Sequence, residues 1–412
     1  MSELARHKFA DLYEMASGIS SKPEQAGHGA PFLSFSAVFN NYFLPHELTD
    51  RMDTSELEQA KYSINPGDIF LTRTSEVVDE LGMSSVALKR YPTATYSGFL
   101  KRLRPVKERV TYPKFMAFYL RSPLFRKTMT NNAVLTLRAS LNEEIFSYLD
   151  LLLPDYDEQV KAGDLLFLLS QKIDCNNRIN AELAAMAKTL YDYWFVQFDF
   201  PDTNGKPYKS SGGKMVYNAT LKREIPAGWK DKQLCQIANI TMGTSPTGDS
   251  LNDSGDGVEF FQGSTDFGWQ FPTVRQYTTQ PARMAKRGDI LLSVRAPVGD
   301  LNVAHIDCCI GRGLAALNSK DGFDGFLFYV MQYFKMVFDR RNSEGTTFGS
   351  ITKDDLHSLP LAYPSTDLLK KYNDIVSEYN QMVFTRSIEN QQLARLRDWL
   401  LPLLMNGQVT VA

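Results

Sequence analysis

Basic side chains crowd one part of this sequence, and their chemistry is that of phosphate binding. Within residues 89–138 the only acidic residue is Glu108, although the whole chain has a net charge of −2. Lys and Arg release counterions when they neutralise phosphates, so the local surplus predicts a polyanion-binding surface. A solvated basic face without a ligand is the alternative. The basic residues are Lys89, Arg90, Lys101, Arg102, Arg104, Lys107, Arg109, Lys114, Arg121, Arg126, Lys127 and Arg138.

A second group of polar residues lies near a strand motif that occurs twice, as GDIFLT at 67–72 and as GDILLS at 288–293. Some of its members end or follow the repeated strand, and the others lie in predicted glycine-containing loops. Side chains of these types bond base edges and phosphate oxygens in nucleic-acid complexes. Ordinary turn and helix-cap chemistry is the alternative. The group comprises Arg73, Gln262, Ser264, Ser293, Arg295, Thr346 and Thr347, with Arg275 and Arg312 as nearby cations.

Recognisable catalytic motifs are absent from the sequence. It has no Gly-x-x-x-x-Gly-Lys-Ser/Thr phosphate loop, no His-Glu-x-x-His, no Gly-x-Gly-x-x-Gly after a strand, and no Asn-Pro-Pro-aromatic or Asp-Pro-Pro-Tyr tetrapeptide. Five histidines are scattered, and Cys175, Cys235, Cys308 and Cys309 lack metal-ligand spacing. We therefore expect no catalytic residues, no metal site and no cofactor bound by this chain.

Composition is that of a folded chain with more than one domain. The 412 residues suffice for two or three domains, and a hydrophobic fraction of 43% is enough for real cores. No apolar run reaches membrane-spanning length, and the N-terminus lacks the apolar centre of a signal peptide. With free thiols, this predicts a cytoplasmic protein that makes no contact with a membrane.

Two long helices must position the polar residues. Residues 157–195 and 366–401 carry apolar side chains at helical spacing. At 1.5 Å per residue the first would be about 60 Å long. Two such amphipathic helices are predicted to pack on each other as an antiparallel coiled coil. The alternative is that each is a core helix of its own domain.

Short segments recur in the same order along the chain, which indicates an internal duplication. Each copy is predicted to contain a globular domain of strands and short helices, followed by one long helix. Between the copies, residues 201–228 are rich in Gly, Ser, Lys and Pro and are predicted to be a surface connection. Besides the strand motif, the matching positions are Gly18 with Gly243, Ser140 with Ser350, Pro154 with Pro364, and Leu190 with Leu396.

Together these features resemble the specificity (S) subunits of type I restriction–modification enzymes. The resemblance covers essentially the whole chain and rests on the duplicated arrangement of domain plus long helix. Local signatures of the second copy add to it. They are Ile225-Pro-Ala-Gly-Trp229, Gly288-Asp-Ile-Leu-Leu-Ser293 with Arg295, Gly345-Thr-Thr-Phe-Gly-Ser-Ile351, and Trp399-Leu-Leu-Pro-Leu-Leu-Met-Asn-Gly-Gln-Val409.

The resemblance implies an α+β fold with two pseudo-repeated mixed α/β target-recognition domains separated by two long helices packed as an antiparallel coiled coil. The expected boundaries are 1–155 for domain 1, 156–200 for the central helix, 201–228 for the linker, 229–364 for domain 2 and 365–412 for the C-terminal helix. The DNA-binding candidates are Arg73, Lys89, Arg90, Lys101, Arg102, Arg104, Gln262, Ser264, Arg275, Ser293, Arg295, Arg312, Thr346 and Thr347.

It also implies a function and partners. Each domain reads one half of a bipartite, asymmetric target on double-stranded DNA. The chain binds two methyltransferase (M) subunits and is joined by restriction (R) subunits in phage defence. S-adenosylmethionine, ATP and Mg²⁺ are expected on those partner subunits rather than on this chain.

Two other classes of function remain open from the residues alone. A self-contained DNA methyltransferase or nuclease is one, and S-adenosylmethionine binding by the purified chain would favour the methyltransferase. A non-catalytic coiled-coil scaffold is the other, and salt-sensitive DNA binding separates it from a specificity subunit.

The long helix predicts how the spacing between half-sites is set. On B-DNA, paired half-sites lie about one helical turn apart, roughly 10 bp. Adding or removing helical turns within 157–195 should therefore change the gap between the half-sites and leave their sequences unchanged. Methylome sequencing of the variant measures both, and altered half-sites with an unchanged gap would contradict this expectation.

Overall fold

The computed structural model describes residues 3–20, 22–75, 81–132, 134–135, 139–140, 146, 148–295, 297–343 and 350–411. Its contacts divide the chain into two compact units. Unit 1 comprises Met1–Asn176 and Glu389–Ala412, and unit 2 comprises Asn177–Ile388. Each unit therefore contains one globular domain and a segment of each of two long helices.

The long helices predicted from the sequence are confirmed. The first long helix spans Tyr156–Tyr191 and ends in a wider π-helical turn, Asp192–Val196. The second long helix spans Thr366–Met405. Acidic residues occupy the first turn of both helices, where they interact favourably with the positive end of the helix dipole.

In unit 1 the two long helices run antiparallel. The Nδ2 atom of Asn176 donates to Oε2 of Glu389 and to Oδ1 of Asn390, both at 2.8 Å. Earlier in the first helix, Leu166 belongs to the same apolar core as Leu401, near the end of the second helix. Residues later in the first helix thus contact residues earlier in the second helix, which defines an antiparallel pair.

Unit 2 shows the same antiparallel arrangement. Asn180 donates from Nδ2 to Oγ of Ser387 at 3.3 Å, and the Tyr372 hydroxyl donates to the carbonyl of Ala187 at 3.2 Å. Tyr372 is fully buried, and its ring centroid lies 5.0 Å from that of Phe195. Burial raises the pKa of Tyr372 far above its ordinary value, so the hydroxyl stays protonated and can donate.

Domain 1 is built from short strands and helices. Its four-stranded antiparallel sheet has the order β2-β9-β5-β7. The strands are β1 Ala5–Lys8, β2 Tyr13–Ser17, β3 Ala26–Leu33, β4 Arg51–Met52, β5 Ile69–Thr72, β6 Thr74–Ser75, β7 Ser84–Val86, β8 Thr95–Tyr96, β9 Leu100–Pro105, β10 Val134–Leu135, β11 Ala139–Ser140 and β12 Asp150–Leu153. The helices are α1 Phe35–Asn40, α2 Glu56–Lys61, α3 Pro113–Tyr119 and α4 Pro123–Asn132.

Domain 2 repeats this plan with a sheet of order β16-β24-β21-β22. Its strands, with the preceding β13 Met215–Asn218 and β14 Arg223–Pro226, are β15 Lys230–Gln233, β16 Ala238–Met242, β17 Leu251–Asn252, β18 Val258–Phe261, β19 Gln276–Thr278, β20 Met284–Ala285, β21 Ile290–Ser293, β22 Leu301–Val303, β23 Cys308–Ile310, β24 Leu314–Ser319 and β25 Pro360–Tyr363. The helices are α5 Leu234–Ile237, α6 Asp324–Ser343 and α7 Lys353–His357.

Pairing between strands confirms the duplication. In both domains the first strand pairs antiparallel with the strand that precedes the long helix, β1 with β12 and β15 with β25. Both domains also contain one parallel pair, β3 with β8 and β18 with β23. The repeated strand motif forms β5 and β21, which occupy the same place in the two four-stranded sheets.

In unit 1 an aromatic side chain of the first long helix fixes domain 1. The ring of Phe167 meets that of Phe43 edge to face, with centroids 4.8 Å apart. On the same ring, Nζ of Lys114 lies 4.4 Å from the centroid. Edge-to-face and cation–π contacts both have preferred geometries, so Phe167 fixes orientation as well as burying area.

In unit 2 the second long helix holds domain 2 by a similar contact. The ring of Phe384 meets Phe271 edge to face at 5.5 Å, and the guanidinium of Arg287 lies 4.5 Å from its centroid. Phe43 and Phe271 occupy equivalent positions. The carbonyl of Tyr42, just before Phe43, accepts the N–H of Val86 in edge strand β7 at 3.0 Å. The carbonyl of Gln270, just before Phe271, accepts the N–H of Val303 in edge strand β22 at 2.8 Å.

The predicted linker, 201–228, contains regular structure. Strands β13 and β14 pair antiparallel within it. At its borders, the Phe200 ring stacks between Tyr208 and Trp229, with centroid distances of 4.7 and 5.4 Å. Residues Met215–Asn218 and Arg223–Pro226 form this hairpin, which composition alone did not indicate.

A buried carboxylate begins the repeated strand in both domains. The Asp68 side chain is fully buried, and the Arg104 guanidinium donates to its two oxygens at 2.7 and 2.6 Å. This hydrogen bonding raises the pKa of Arg104 above its ordinary value. In domain 2, Nδ2 of Asn318 donates to Oδ1 of Asp289 at 2.9 Å. Arg104 and Asn318 hold the same register position, one residue beyond the last pair of β9 with β5 and of β24 with β21.

This pair generates a stability prediction. Arg104→Ala leaves the Asp68 carboxylate buried without its cation and should lower the free energy of unfolding by about 3 kcal/mol. Arg104→Asn supplies the amide that domain 2 uses at this position and should lose less. Urea denaturation of both variants measures the difference, and equal stability of Arg104→Ala and the wild type would contradict the expectation.

Candidate nucleic-acid interface

The repeated strand ends at an equivalent edge in both domains. Strand β5 ends at Thr72, opposite Leu100, and β21 ends at Ser293, opposite Leu314. In domain 1 the next N–H, of Arg73, donates to the carbonyl of Phe99 at 2.8 Å. In domain 2 the next N–H, of Val294, donates to the carbonyl of Gly313 at 2.9 Å. Hydrogen-bond register therefore defines equivalent positions in the two domains independently of sequence similarity.

A four-residue turn lies beside this edge in each domain, at 97–100 in domain 1 and 311–314 in domain 2. Each turn is closed by a hydrogen bond from its fourth N–H to its first carbonyl, at 2.9 and 3.0 Å. The two central residues are Gly98-Phe99 in domain 1 and Arg312-Gly313 in domain 2.

The repeated glycines pack directly against these turns. A Cβ atom on Gly18 would lie 2.2 Å from the carbonyl oxygen of Ser97, and one on Gly243 would lie 2.2 Å from that of Gly311. The N–H that follows each glycine donates to the carbonyl just before the turn, at 2.9 and 3.0 Å. Any side chain at these glycines would displace the turn, which gives a physical reason for their recurrence.

A short antiparallel pairing adjoins the same edge. In domain 1, Ser140 pairs with Thr74, and in domain 2, Ser350 pairs with Arg295. Thr74 and Arg295 each lie two residues beyond the repeated strand, so the structure aligns Ser140 with Ser350 as the sequence does. Thr346 and Thr347 lie outside the described residues.

Two predicted residues of domain 2, Gln262 and Arg312, belong to one polar cluster. Gln262 is exposed, and its Oε1 accepts from Oγ of Ser245 at 3.1 Å. The same Oγ accepts the N–H of Arg312 at 3.3 Å. The Gln262 N–H donates to Asp266 at 2.8 Å. Ser245 was not among the sequence candidates, although its position just after the repeated Gly243 was a usable signal.

Other candidates lie on the surface outside the hydrogen-bonded group of Gln262, Ser245 and Arg312. The Nζ atom of Lys89 lies 5.2 Å from the centroid of the Tyr91 ring. Arg275 is exposed, with Nε 3.9 Å from a carboxylate oxygen of Asp266. The exposed candidates are Arg73, Arg90, Gln262, Arg275, Arg295 and Arg312, and the half-buried ones are Lys89 and Ser264.

Four candidates are engaged inside the protein instead. Lys101 and Arg102 are each 6% exposed, because β9 is a central strand of its sheet. Lys101 donates from Nζ to Oγ of Ser17 at 2.8 Å, and Arg102 donates to the carbonyl of Ser63 at 2.9 Å. The Ser293 hydroxyl, 1% exposed, donates to the carbonyls of residues 295 and 297. With Arg104 bound to Asp68, these side chains have internal partners rather than a free face for DNA.

Other cations of the basic stretch also have partners within the protein. Lys114 pairs with Asp164 at 2.7 Å, and Arg109 pairs with Asp157 at 3.2 Å. Arg121 donates to four backbone carbonyls, and burial lowers its pKa to about 10. The acidic partners belong to the first long helix, outside the stretch itself. The stretch is therefore not one continuous basic face. Among its described residues the exposed cations are Arg90, Lys107, Arg109 and Lys127, and Arg138 lies outside the described residues.

The described part of the chain shows neither a metal cluster nor a membrane helix. Within it, no three His, Cys, Asp or Glu side chains gather closely enough to hold a metal ion. None of its helices is both long and apolar enough to cross a bilayer. The four cysteines are unpaired, and burial raises the pKa of Cys308 to about 12.

Comparisons with known proteins agree with this architecture. A Methanocaldococcus jannaschii protein, provisionally named the MjaX specificity subunit of a type I restriction enzyme, is 29% identical over 97% of this chain and 92% of its own length. The HindI specificity subunit of Haemophilus influenzae is 22% identical over 92% of this chain and 94% of its own. A crystal structure of the type I restriction–modification S subunit of M. genitalium, 15% identical, covers 98% of this chain and 96% of its own with a TM-score of 0.62, a likeness of fold.

The family described as the type I restriction modification DNA specificity domain matches residues 9–185 and 226–396. Each matched segment takes in one globular domain and most of the long helix that follows it. The two matches therefore coincide with the two copies that strand pairing defines. This chain belongs to the family of type I restriction–modification DNA specificity subunits.

Proposed function

We propose that this chain reads a bipartite, asymmetric sequence on double-stranded DNA, with one half-site for each domain. One observation carries the proposal. The same edge is built twice on matching hydrogen bonds, yet it presents different exposed side chains. Among the sequence candidates at the described positions, domain 1 offers Arg73 there, whereas domain 2 offers Gln262, Arg295 and Arg312. A common framework with different contacts suits two half-sites of different sequence.

The chemistry of these side chains suits both base reading and phosphate binding. Arg can donate two hydrogen bonds to guanine, and Gln can pair with adenine in the major groove. In this proposal Arg312 and Gln262 read bases from their shared cluster. Arg90, Arg275 and Lys89, placed elsewhere on the surface, contribute phosphate contacts that position the duplex, and Ser264 is a further candidate for either contact.

The chain itself is proposed to be non-catalytic and to direct two methyltransferase subunits, which restriction subunits join in the cytoplasm. Exposed apolar side chains on the long helices support protein partners. Tyr193 and Trp399, 38% and 63% exposed, end the same Leu-x-Asp-aromatic motif in the two copies. Two equivalent surfaces fit two copies of one partner. S-adenosylmethionine, ATP and Mg²⁺ are assigned to those partners.

A modified-base map tests this function directly. The chain is expressed with its methyltransferase partner in a methylation-free host, and the control host expresses the methyltransferase alone. We expect methylation of one bipartite, asymmetric motif only when this chain is present. Identical maps from the two hosts would contradict the proposal and favour a scaffold.

A further inference from the structure

The proposed recognition edge is the end of β5 at Thr72 in domain 1 and the end of β21 at Ser293 in domain 2. The turn beside it carries one large side chain in each domain, but not the same one. In domain 1 the central pair is Gly98-Phe99, and in domain 2 it is Arg312-Gly313. Glycine and a bulky residue have exchanged places within an otherwise equivalent turn. As a result Phe99 occupies the turn tip in domain 1 where Arg312 occupies it in domain 2.

The equivalence of the two turns depends on backbone contacts. Both turns are closed by the same hydrogen bond and pressed against by a repeated glycine, Gly18 or Gly243. The carbonyl of Phe99 accepts the N–H of Arg73 at 2.8 Å, just as the carbonyl of Gly313 accepts the N–H of residue 294 at 2.9 Å. Phe99 therefore adjoins Arg73, the exposed cation of the domain 1 edge.

Phe99 combines an exposed side chain with a position on this edge. Its side chain is 63% exposed, while the next residue, Leu100, is fully buried. Single exposed hydrophobic residues are common on protein surfaces, and Tyr148 of the same domain is 73% exposed. Exposure alone would therefore mean little. The position of Phe99 on the edge that presents Arg312 in the other copy is the second, independent observation.

We infer that Phe99 is a base-contacting residue of domain 1 that reads its half-site by apolar contact. The inference rests on the proposed function, since it assumes that this edge faces DNA. Phenylalanine has no hydrogen-bonding group, so it discriminates bases only by touching a thymine methyl or by stacking on a base. Arg312 at the equivalent tip reads the other half-site through charge-assisted hydrogen bonds.

The two tips should respond differently to salt. An arginine that neutralises a phosphate releases a counterion, whereas an apolar contact releases none. Loss of Phe99 should leave the dependence of affinity on salt concentration unchanged. Loss of Arg312 should make that dependence shallower, by roughly one unit of slope if the guanidinium also neutralises a phosphate.

The experiment uses the complete complex of this chain with its methyltransferase subunits. Its affinity is measured, at several salt concentrations, for the mapped target and for duplexes that change each base pair of both half-sites in turn. The variants are Phe99→Ala, Phe99→Leu and Arg312→Ala. The matched control is Tyr148→Ala, which removes an exposed aromatic ring of domain 1 outside the turn. Thermal unfolding verifies that each variant is folded.

We expect Phe99→Ala to lower affinity for the target roughly tenfold and to remove the preference at one base pair of one half-site only. Phe99→Leu should retain part of that preference, and Tyr148→Ala should retain all of it. Arg312→Ala should act on the other half-site. Replacing thymines by uracils, which lack the methyl group, then identifies the partner. If uracil at one position weakens binding by the wild type but not by Phe99→Ala, Phe99 contacts the thymine methyl at that position. If uracil has no effect at any position although Phe99→Ala alters a base preference, Phe99 stacks on a base.

An unchanged preference at every base pair in Phe99→Ala would overturn the inference while leaving the proposed function intact. An equal loss for all sequences, as expected from a phosphate contact, would also overturn it. A wild-type complex that binds the mapped target no better than a scrambled duplex would overturn the proposed function and, with it, this assignment.

Discussion

The placement of each recognition edge depends on how its domain packs against a long helix. Phe167 and Phe384 each lie between a phenylalanine and a cation of the adjoining domain. Phe43 and Phe271 come from segments that are hydrogen-bonded to the edge strands β7 and β22. The helix contact is therefore coupled through the sheet to the strand end that carries the proposed DNA-contacting residues. A shift of one aromatic ring would be transmitted to that edge, because close-packed interiors transmit displacement.

The framework and the recognition residues obey different physical constraints. Gly18, Gly243, Asp68 and Asp289 are held by close backbone contact or burial, so substitution there would disturb the fold. By contrast, Arg73, Phe99 and Arg312 are exposed, and substitutions at exposed positions usually change stability by less than about 0.5 kcal/mol. A duplicated domain can therefore diverge in what it reads while keeping the turn that presents the reading side chain. The equivalent turns, with Gly98-Phe99 in domain 1 and Arg312-Gly313 in domain 2, keep the same backbone and present different exposed side chains.

Sequence periodicity and repetition predicted the long helices, the duplication and the mixed domains, because these depend on patterns spread over many residues. The fate of individual side chains was less accessible. Lys101 and Arg102 read as surface cations, yet β9 is covered on both faces. Arg104 and Lys114 are neutralised by Asp68 and Asp164, which lie far away in the sequence. At the register positions of Lys101 and Arg102, domain 2 has Ala315 and Ala316. Comparing the charges of the two copies therefore could not have revealed that Lys101 and Arg102 are buried.

Phe99 escaped the sequence argument for a related reason. Charged and amide side chains are the types that typically bond DNA, and an isolated phenylalanine beside a glycine is typical of a protein core. Its partner in the other copy, Arg312, is shifted by one position within the turn, so side-chain comparison does not align them. Only the backbone register, with residue 73 bonded to 99 and residue 294 to 313, makes the two tips equivalent.

We propose that each copy is a self-sufficient reader made from one domain and the helix segment on which it packs. A chain in which residues 229–386 are replaced by a second copy of residues 1–176 tests this most directly, with a modified-base map of its complex as the readout. Methylation is expected at a target whose two half-sites have the same sequence, the one read by domain 1. If the assembled complex kept the asymmetric wild-type target, the claim would be contradicted.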